Sequence, residues 1–596
     1  MSRVAVPFSG ALQRILAVPR RVWTRETATA LADRLTLALR KPNGTQSLRY
    51  HQGLLLAEGR AVGGTFGALP VSAGKTLVSW LMPTMVQATK PLLVTQGSLI
   101  TSGKTQRDFD ALAEHWVEPP AEITMASYQW LATEAGAEYL EREQFDCVML
   151  DEGHRARKFE RSCAKRIERY RAGRIDRQQR ISIHFWTGTI YRKGPADIAH
   201  ALAWSLGEYS PLPYPGTQAL RDWCAALDWK APLGRRLWPG AIVELGRAWL
   251  PPEKFEQIRR SLPTMDPERA LTLARLCLQR WMRETPGVVI VDESSCDQPL
   301  HLKFRMLPFD AELEELFHQF RATDRTPDGW LMPDALTRYS HETELQCGYY
   351  NEMDPRPPTE WAEARRAAAT YVRETIRRTA KSTHPLDTER QVFRHRSHVP
   401  AIADWIAIRD AFKPKSKPVW LSASVLHWAA AWLRENAPAL VWVTHTALGE
   451  MLSRLSGVPY YASEGRSESG RSIVDVDPPE SAILSAHALR EGFNLPQWSR
   501  GLVLGWLQPA DQCEQLIGRQ HRDGAKGPVS IDIAVLSGAT LRAFYSAYSE
   551  AMQVAEAMGQ NQQKLLKANI DTSELIGYET LASQQSRYVY KHIEES

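Results

Sequence analysis

Short apolar segments alternate with segments of helical periodicity in two stretches of the chain. Runs of valine, leucine and isoleucine without alternating polar positions are typical of strands buried on both faces of a sheet. Strands and helices in alternation predict an α/β fold, in which helices cover a parallel sheet. The predicted strands are TFGAL (65–69), PLLVT (91–95), EITMAS (122–127), CVMLD (147–151) and SIHFW (182–186) in the first stretch, and ALVWVT (439–444), AILSA (482–486), GLVLGW (501–506) and SIDIAV (530–535) in the second.

Between the two stretches the pattern changes to longer helical segments. Residues 266–284 predict a helix with Asp266 as its N-cap, and residues 359–381 predict another that is capped by Thr359. A last helix is predicted at about 539–567, before a polar tail. We therefore expect an N-terminal arm and helix (1–43), a first α/β lobe (44–212), a mostly helical insert (213–415), a second α/β lobe (416–545) and a C-terminal helix and tail (546–596).

The composition is that of a water-soluble protein with more than one domain. Its 596 residues exceed what one hydrophobic core usually supports, and no apolar run reaches the ~18 residues that a membrane-spanning helix requires. The seven cysteines are scattered without a C-x-x-C pair, which favours reduced thiols in the cytoplasm and does not support a zinc site. The net charge of +5 permits nucleic-acid binding without arguing for it. The arginine-rich first 25 residues suit a basic arm, with organellar targeting as the alternative.

The segment LPVSAGKT (69–76) follows a predicted strand and precedes a helical pattern. A phosphate-binding loop requires this context, because backbone N–H groups at the start of a helix point at the phosphates. Lys75 would reach the β- and γ-phosphates of ATP, and the hydroxyl of Thr76 would ligate Mg²⁺. The loop departs from the usual pattern at Leu69 and Ser72. The residues predicted to hold the nucleotide here are Ser72, Ala73, Gly74, Lys75 and Thr76.

The segment VMLDEGHR (148–155) places two acids at the end of a second predicted strand, 76 residues after Lys75. Paired carboxylates at such a position divide the work of ATP hydrolysis. Asp151 would hold Mg²⁺, and Glu152 would orient and deprotonate the attacking water. The alternative, two solvated acids after a strand, loses ground because a phosphate loop precedes them.

A third segment, QLIGRQHRDG (515–524), predicts a basic helix in the second lobe. Arg519 and Arg522 are three residues apart and would share one face of this helix. Arginines supplied from a second lobe neutralise charge on the transferring phosphoryl group. Gln515 and Gly518 complete a Q-x-x-G-R-x-x-R pattern, which favours this interpretation over a solvated basic helix.

In order along the chain, LPVSAGKT, DEGH, TGT (187–189) and QLIGRQHR match motifs I, II, III and VI of superfamily 2 helicases. The chain resembles that family, and most of all its Snf2-type and phage-type DExH branch. The resemblance covers both lobes and implies two RecA-like lobes in tandem, binding ATP and Mg²⁺ between them. It also implies that Thr187 and Thr189 couple the state of ATP to the grip on nucleic acid.

Two further segments extend the resemblance. LRYHQ (48–52) resembles the adenine-sensing element of the family, which implies nucleotide contacts by Arg49 and Gln52. ALREGFNLP (488–496) resembles motif V and places Gly492 near the ATP site. By the same analogy, loops at strand ends would contact the nucleic-acid backbone, which carries no sequence information. The implied contact residues are Gln96, Gly97, Ser127, Tyr128, Thr444 and His445.

These observations predict an ATP-dependent nucleic-acid motor that works as a monomer, with DNA favoured as the partner in replication, recombination or repair. Three alternatives remain open: a duplex translocase that does not separate strands, an RNA helicase, and a binding scaffold with a degenerate nucleotide site. The arginine-rich stretch 155–180 either extends a basic track for nucleic acid or forms a solvated helix.

Overall fold

The computed structural model describes residues 4–70, 73–156, 162–188, 194–228, 236–294, 296–307, 310–380, 386–477, 479–489, 492–507 and 509–575. The chain divides into two compact units. The first comprises Met1–Asp297, Pro509–Gly524 and Ala547–Ala568, and the second comprises Gln298–Gln508, Ala525–Ser546 and Asn569–Ser596. Among the helices described, none combines the length and the apolar character that crossing a lipid bilayer requires.

The N-terminal half alternates helices and strands. Residues 4–294 form α1 (Gly10–Leu16), α2 (Arg25–Leu39), α3 (Tyr50–Val62), β1 (Thr65–Ala68), α4 (Lys75–Val86), β2 (Pro91–Thr95), α5 (Gly97–Thr101), α6 (Lys104–Ala113), β3 (Thr124–Ser127), α7 (Tyr128–Leu131), α8 (Glu134–Glu143), β4 (Cys147–Leu150), α9 (Ser162–Asp176), β5 (Ser182–Thr187), α10 (Ala199–Leu206), α11 (Gln218–Leu227), α12 (Pro252–Ser261), α13 (Pro267–Arg283) and β6 (Val288–Ile290).

Within these described residues, six strands form one parallel sheet in the order β3-β2-β4-β5-β1-β6. Its two faces are both buried. In β4, for example, Val148 and Leu150 pack into a core on one face, while Cys147 and Met149 pack into a core on the other. The carboxyl ends of the strands share one edge, because Ala68 pairs with Thr187 and Leu150 pairs with Phe185.

The C-terminal half contains a second α/β arrangement. Residues 296–575 form β7 (Leu300–Met306), α14 (Ala311–Thr323), α15 (Ala335–Gln346), β8 (Tyr349–Asp354), α16 (Thr359–Thr379), α17 (Glu389–Arg396), α18 (Pro400–Ile408), β9 (Lys415–Trp420), α19 (Ser424–Glu435), β10 (Leu440–Val443), α20 (Thr446–Ser456), β11 (Tyr460–Tyr461), β12 (Ala482–Ser485), α21 (Ala486–Leu489), β13 (Arg500–Leu504), α22 (Ala510–Gln520), β14 (Val529–Val535), α23 (Gly538–Met558), α24 (Lys564–Lys567) and β15 (Asn569–Asp571).

In the described part of the second unit, seven parallel strands have the order β11-β12-β10-β13-β14-β7-β15, and β8 pairs with β9 in a small antiparallel sheet. The α/β class and all nine predicted strands are confirmed, with ends that differ by a residue or two. The region 213–415, predicted as a mostly helical insert, is divided between the two units and supplies β6 to one sheet and β7 to the other.

Two predicted helix boundaries are wrong. Asp266 does cap α13, with its side chain accepting from two first-turn amides, but Thr359 is the first residue of α16 rather than its cap, which is Pro358. The single helix expected at 539–567 is two helices, α23 and α24. Gly559, with a φ of 71°, stops α23 in the left-handed conformation that commonly ends a helix.

The buried carboxylate of Glu58 ties three parts of the first unit together. It lies in α3 and accepts from the backbone N–H of Gly287, just before β6, at 2.8 Å. It also accepts from the indole of Trp23 at 2.8 Å and pairs with Arg21 at 2.7 Å. Since a buried acid costs free energy unless it is paired and hydrogen-bonded, these donors allow Glu58 to be charged inside the core.

Replacing this acid by an amide should destabilise the first unit. Glu58→Gln keeps the size of the side chain, but it removes the charge opposite Arg21 and sets an NH₂ group against one of the three donors. We expect a loss of about 1–3 kcal/mol in the free energy of unfolding, measured by urea denaturation. The matched control, Glu118→Gln, alters an exposed ion pair with Lys41 and should change stability by less than about 0.5–1 kcal/mol. Equal effects of the two substitutions would contradict this assignment.

Candidate active site

The turn between β1 and α4 carries the predicted phosphate loop. Helix α4 begins at Lys75, and Gly74 precedes it with a φ of 79°. A Cβ on Gly74 would lie 2.1 Å from Nε2 of Gln52, so both the backbone conformation and the available space require glycine. Ser72 lies outside the described residues.

Two neighbouring side chains of α3 hold this loop from below. Nε2 of Gln52 donates to the carbonyl oxygen of Ala73 at 3.0 Å, and Nε2 of His51 lies 3.0 Å from the same oxygen. Burial, with smaller effects from Arg49 and Arg25, lowers the pKa of His51 to about 4 despite this contact. His51 is therefore neutral at neutral pH and must carry its proton on Nε2, because a carbonyl only accepts.

The first turn of α4 is also fixed to the sheet. The hydroxyl of Ser79 donates to the carbonyl oxygen of Lys75 at 3.0 Å and accepts from the indole N–H of Trp186 in β5 at 3.1 Å. The backbone N–H of Leu69 donates to the carbonyl oxygen of Thr187 at 3.0 Å. These bonds place the start of α4 at a defined position on the carboxyl edge of the sheet.

The two acids predicted after β4 lie at the same edge. Asp151 continues the ladder with its N–H bonded to Val94, and its carboxylate accepts from the backbone N–H of Glu152 at 3.0 Å and from the hydroxyl of Thr95 at 3.3 Å. Glu152 has a φ of 48°, in the left-handed region that non-glycine residues rarely occupy. Such strained positions concentrate at functional sites.

A chain of contacts links the phosphate loop to β5 through Glu152. Nζ of Lys75 lies 2.5 Å from Oε1 of Glu152. Oε2 of the same carboxylate lies 3.3 Å from Nδ1 of His154, which is also 3.3 Å from the hydroxyl of Thr187. His154 thus joins two predicted motifs, and the sequence analysis assigned it no role although it stands inside DEGH.

The electrostatics of the two acids differ. Burial and the charge of Glu152 raise the pKa of Asp151, and Lys75 offsets this only in part. Burial also opposes ionisation of Glu152, but the charge of Lys75 and the contact with His154 outweigh it and hold the pKa of Glu152 low. Glu152 is therefore a carboxylate at neutral pH, and a cation beside Asp151 would favour its ionised form.

The chemistry of the donors suits Mg²⁺ bound together with phosphates. Asp151 and Thr76 offer oxygen ligands, which Mg²⁺ prefers. In the described part of the chain, no group of three or more histidine, cysteine, aspartate or glutamate side chains is arranged to hold a metal by itself. Such a cation would therefore need nucleotide oxygens in addition to the protein ligands.

The predicted arginines differ from expectation in two respects. Helix α22 belongs to the first unit, the unit of Lys75, whereas the sequence placed it in the second lobe. It ends at Gln520, because His521 leaves the helical conformation, so Arg522 does not share a helix face with Arg519. Nε of Arg519 donates to the carbonyl of Gln515 at 3.0 Å, and all three side chains in this pattern are largely buried.

The surroundings of α22 include residues that the sequence did not indicate. Burial lowers the pKa of Arg522, and the charges of Asp523 and Asp108 oppose that shift. Asp523 also pairs with Arg49 at 2.7 Å, so Arg49 contacts protein rather than standing free for a nucleotide. The buried amine of Lys564 lies 3.2 Å from Nδ1 of His521.

The remaining predicted residues are placed unequally. Ser127 caps α7, and Tyr128 is buried with its hydroxyl donating to the carbonyl of Asp151 at 2.7 Å, which supports the acid rather than a nucleic-acid contact. Gln96 caps α5 and Gly97 begins it. In the second unit, Thr444 and His445 follow β10, and Gly492 has a φ of 89°. Thr189 lies outside the described residues.

The arginine-rich stretch after motif II is neither of the two alternatives in simple form. Several arginines of α9 donate to backbone carbonyls of neighbouring elements: Arg166 to Leu131, Arg171 to Ala203, and Arg174 to Gln144. These side chains help to pack α9 against the first unit. They are therefore not a row of solvated charges.

Comparison with known proteins adds no assignment, because no protein-family model matches the chain and no curated protein matches its sequence. The contacts around Lys75 and Glu152 are thus the strongest indication of what the chain does.

Proposed function

We propose that the chain is an ATP-dependent nucleic-acid motor of the superfamily 2 type, with its two α/β units acting as RecA-like lobes. The observation that carries this proposal is the contact between Lys75 of the phosphate loop and Glu152, at the shared carboxyl edge of β1, β4 and β5. An amine at a helix start and an acid after a neighbouring strand are the parts that ATP hydrolysis needs.

The Lys75–Glu152 pair suggests how nucleotide binding prepares the base. Phosphates at the start of α4 would draw Lys75 away from Glu152. Because the charge of Lys75 holds the pKa of Glu152 low, its departure would raise that pKa and make the carboxylate a better acceptor for the proton of the attacking water. Asp151 and Thr76 would hold Mg²⁺, which supplies charge neutralisation at the phosphates when it is bound.

Arg519 and Arg522 would neutralise the charge that develops on the transferring phosphoryl group. Thr187, at the end of β5, would pass the state of the nucleotide to the grip on a strand through His154, since the two side chains are 3.3 Å apart. Binding and hydrolysis would then alternate between conformations that hold and release nucleic acid.

The test of the proposal is ATP hydrolysis measured with no polynucleotide, single-stranded DNA, duplex DNA, forked DNA and RNA. We expect stimulation by at least one DNA form, in fractions where activity and protein coincide in gel filtration. ATP hydrolysis that no polynucleotide changes would remove the motor from the proposal, and no hydrolysis at all would remove the enzyme. Stimulation by RNA alone would replace DNA as the partner.

A separate prediction concerns His154. His154→Ala should lower stimulated ATP hydrolysis by about tenfold, because Glu152 loses one of its two positioning contacts, a change of ~1–1.5 kcal/mol. The ratio of stimulated to basal rate should fall as well, because the link to Thr187 is lost. Steady-state kinetics measure both quantities, with the exposed His395→Ala as the control. A lower rate with an unchanged stimulation ratio would show that His154 only supports the fold of the loop.

A further inference from the structure

The second unit contains a pocket of about 220 Å³ that none of the predicted motifs explains in full. Its floor is formed where strands end: Thr444 and His445 follow β10, and Gly505 and Trp506 follow β13. Helix α15 forms one wall through Tyr339 and Gln346, and Thr540 in the first turn of α23 lies on another side.

The position of the pocket in the sheet is one at which α/β proteins bind ligands. From β10 the chain continues to β11 and β12 on one side of it, and then to β13 on the other. Where the strand order reverses in this way, a crevice opens at the carboxyl ends of the strands. Gly505 permits the close approach, because a Cβ there would lie 2.6 Å from the hydroxyl of Thr444.

Four polar atoms at this pocket are buried and have no hydrogen-bond partner among the described residues: Nε2 of Gln346, Nε2 of His445, Nε1 of Trp506 and the hydroxyl of Thr540. Gln346, Trp506 and Thr540 are each at least nine-tenths buried, with 2%, 5% and 3% exposure. Leaving a buried polar group unsatisfied costs about 1–3 kcal/mol, so several around one space indicate a bound partner.

The kinds of atom restrict the chemistry of that partner. An indole N–H and an amide NH₂ only donate, so the ligand must present acceptors. The lining residues, all within the described part of the chain, include no aspartate, glutamate, lysine or arginine. Burial, with the charge of His487 as a smaller cause, lowers the pKa of His445 although Glu344 opposes it, so this imidazole is neutral at neutral pH. An uncharged ligand avoids the cost of burying an unpaired charge.

Size and shape narrow the class further. The volume is below the ~300 Å³ at which pockets for drug-sized molecules begin, so a ring system fits better than a whole nucleotide. Tyr339, Trp506 and two imidazoles supply flat faces on which a heterocycle can stack. We propose that this pocket binds one unpaired nucleobase, which presents acceptors to Gln346, Trp506 and Thr540.

The base could belong to the strand on which the motor acts, which rests on the proposed function, or to a free nucleoside. The first arm of the test therefore uses the full chain and the four deoxynucleosides, with binding titrated by saturation-transfer NMR. Trp506→Phe and Thr540→Val each remove a hydrogen-bonding group while retaining the bulk of the side chain. We expect each to weaken binding about two- to tenfold, the value of one hydrogen bond. Trp428→Phe, outside the pocket in the same unit, should leave binding unchanged.

The second arm uses a labelled single-stranded oligonucleotide with one abasic position moved along its length. A base in the pocket predicts a two- to tenfold loss of affinity at one position, and Trp506→Phe should abolish that dependence. Phosphate contacts predict no loss, because an abasic site retains its phosphate. Nucleoside binding together with a flat abasic scan supports the pocket and assigns it to a free nucleoside.

The proposal is overturned if no deoxynucleoside binds and the abasic scan is flat, if Trp506→Phe and Thr540→Val bind both probes as tightly as the wild type, or if inorganic phosphate displaces the nucleosides. An oligonucleotide that binds with a flat scan, without nucleoside binding, overturns the pocket and leaves the motor intact. Nucleoside binding without any oligonucleotide binding supports the pocket and counts against the motor.

Discussion

Lys75→Ala and Glu152→Gln should each abolish measurable ATP hydrolysis, through different steps. Removing a general base costs about 10²–10⁴ in rate, so Glu152→Gln should lower kcat by that factor. It preserves the size of the side chain and frees Lys75 for the phosphates, so ATP affinity should be kept or improved. Lys75→Ala removes the cation at the phosphates and leaves Glu152 without its main counter-ion, so ATP binding itself should be weakened.

The two variants are separated by measuring binding and turnover together. A fluorescent ATP analogue reports affinity, and phosphate release reports kcat. Glu138→Gln, an exposed acid on α8 of the same unit, is the matched control and should behave as wild type. Rates of both variants within threefold of the wild type would show that the Lys75–Glu152 contact is an ordinary ion pair and would remove the basis of the proposed function.

The strands were predictable where burial leaves a strong pattern, and not elsewhere. The runs PLLVT and CVML lie entirely in the core and were found. Strand β7 reads LHLKFRM, with Leu300, Leu302 and Phe304 buried and the residues between them more exposed. It pairs with β14 more than 220 residues later along the chain, and β15 adds three residues beside it. Such pairing depends on the packing of the whole unit rather than on local pattern.

The candidate site divides in the same way. Residue type and position after a strand were sufficient to select Lys75, Asp151 and Glu152. Which side chains contact them was not predictable, because those partners come from distant segments brought together by the sheet. His154 bonds to Thr187 only because β4 and β5 are adjacent, and Gln52 contacts Ala73 rather than standing free because α3 packs beneath the loop.

The predicted pair of arginines shows what motif order cannot settle. A Q-x-x-G-R-x-x-R pattern indicates a helix and suggests that both arginines share a face. The helix ends one residue after Arg519, since His521 takes a ψ of 85°, and Arg522 then lies in the following turn beside Asp523. The point at which the helix ends depends on the contact between His521 and the buried Lys564, more than 40 residues away.

Gly74→Ala should weaken ATP binding about 30- to 700-fold while the protein stays folded. An alanine at a φ of 79° costs about 1–2 kcal/mol. Its Cβ would also displace Nε2 of Gln52 and break the bond to the carbonyl of Ala73, which adds about 1–2 kcal/mol. Because both costs fall on the loop that receives the phosphates, the sum of about 2–4 kcal/mol should appear as lost affinity, at 1.4 kcal/mol for each factor of ten.

Gly103→Ala is the control that isolates the steric part of this effect. Gly103 precedes α6 as Gly74 precedes α4, with a φ of 66°, but a Cβ there meets nothing within 4 Å. It should cost about 1–2 kcal/mol of stability in urea unfolding and leave ATP affinity unchanged. If Gly74→Ala binds ATP as Gly103→Ala does, Gln52 does not brace the loop. If Gly74→Ala,Gln52→Ala regains part of the affinity, the clash is its cause, because the double variant keeps the strained φ and removes only the obstruction.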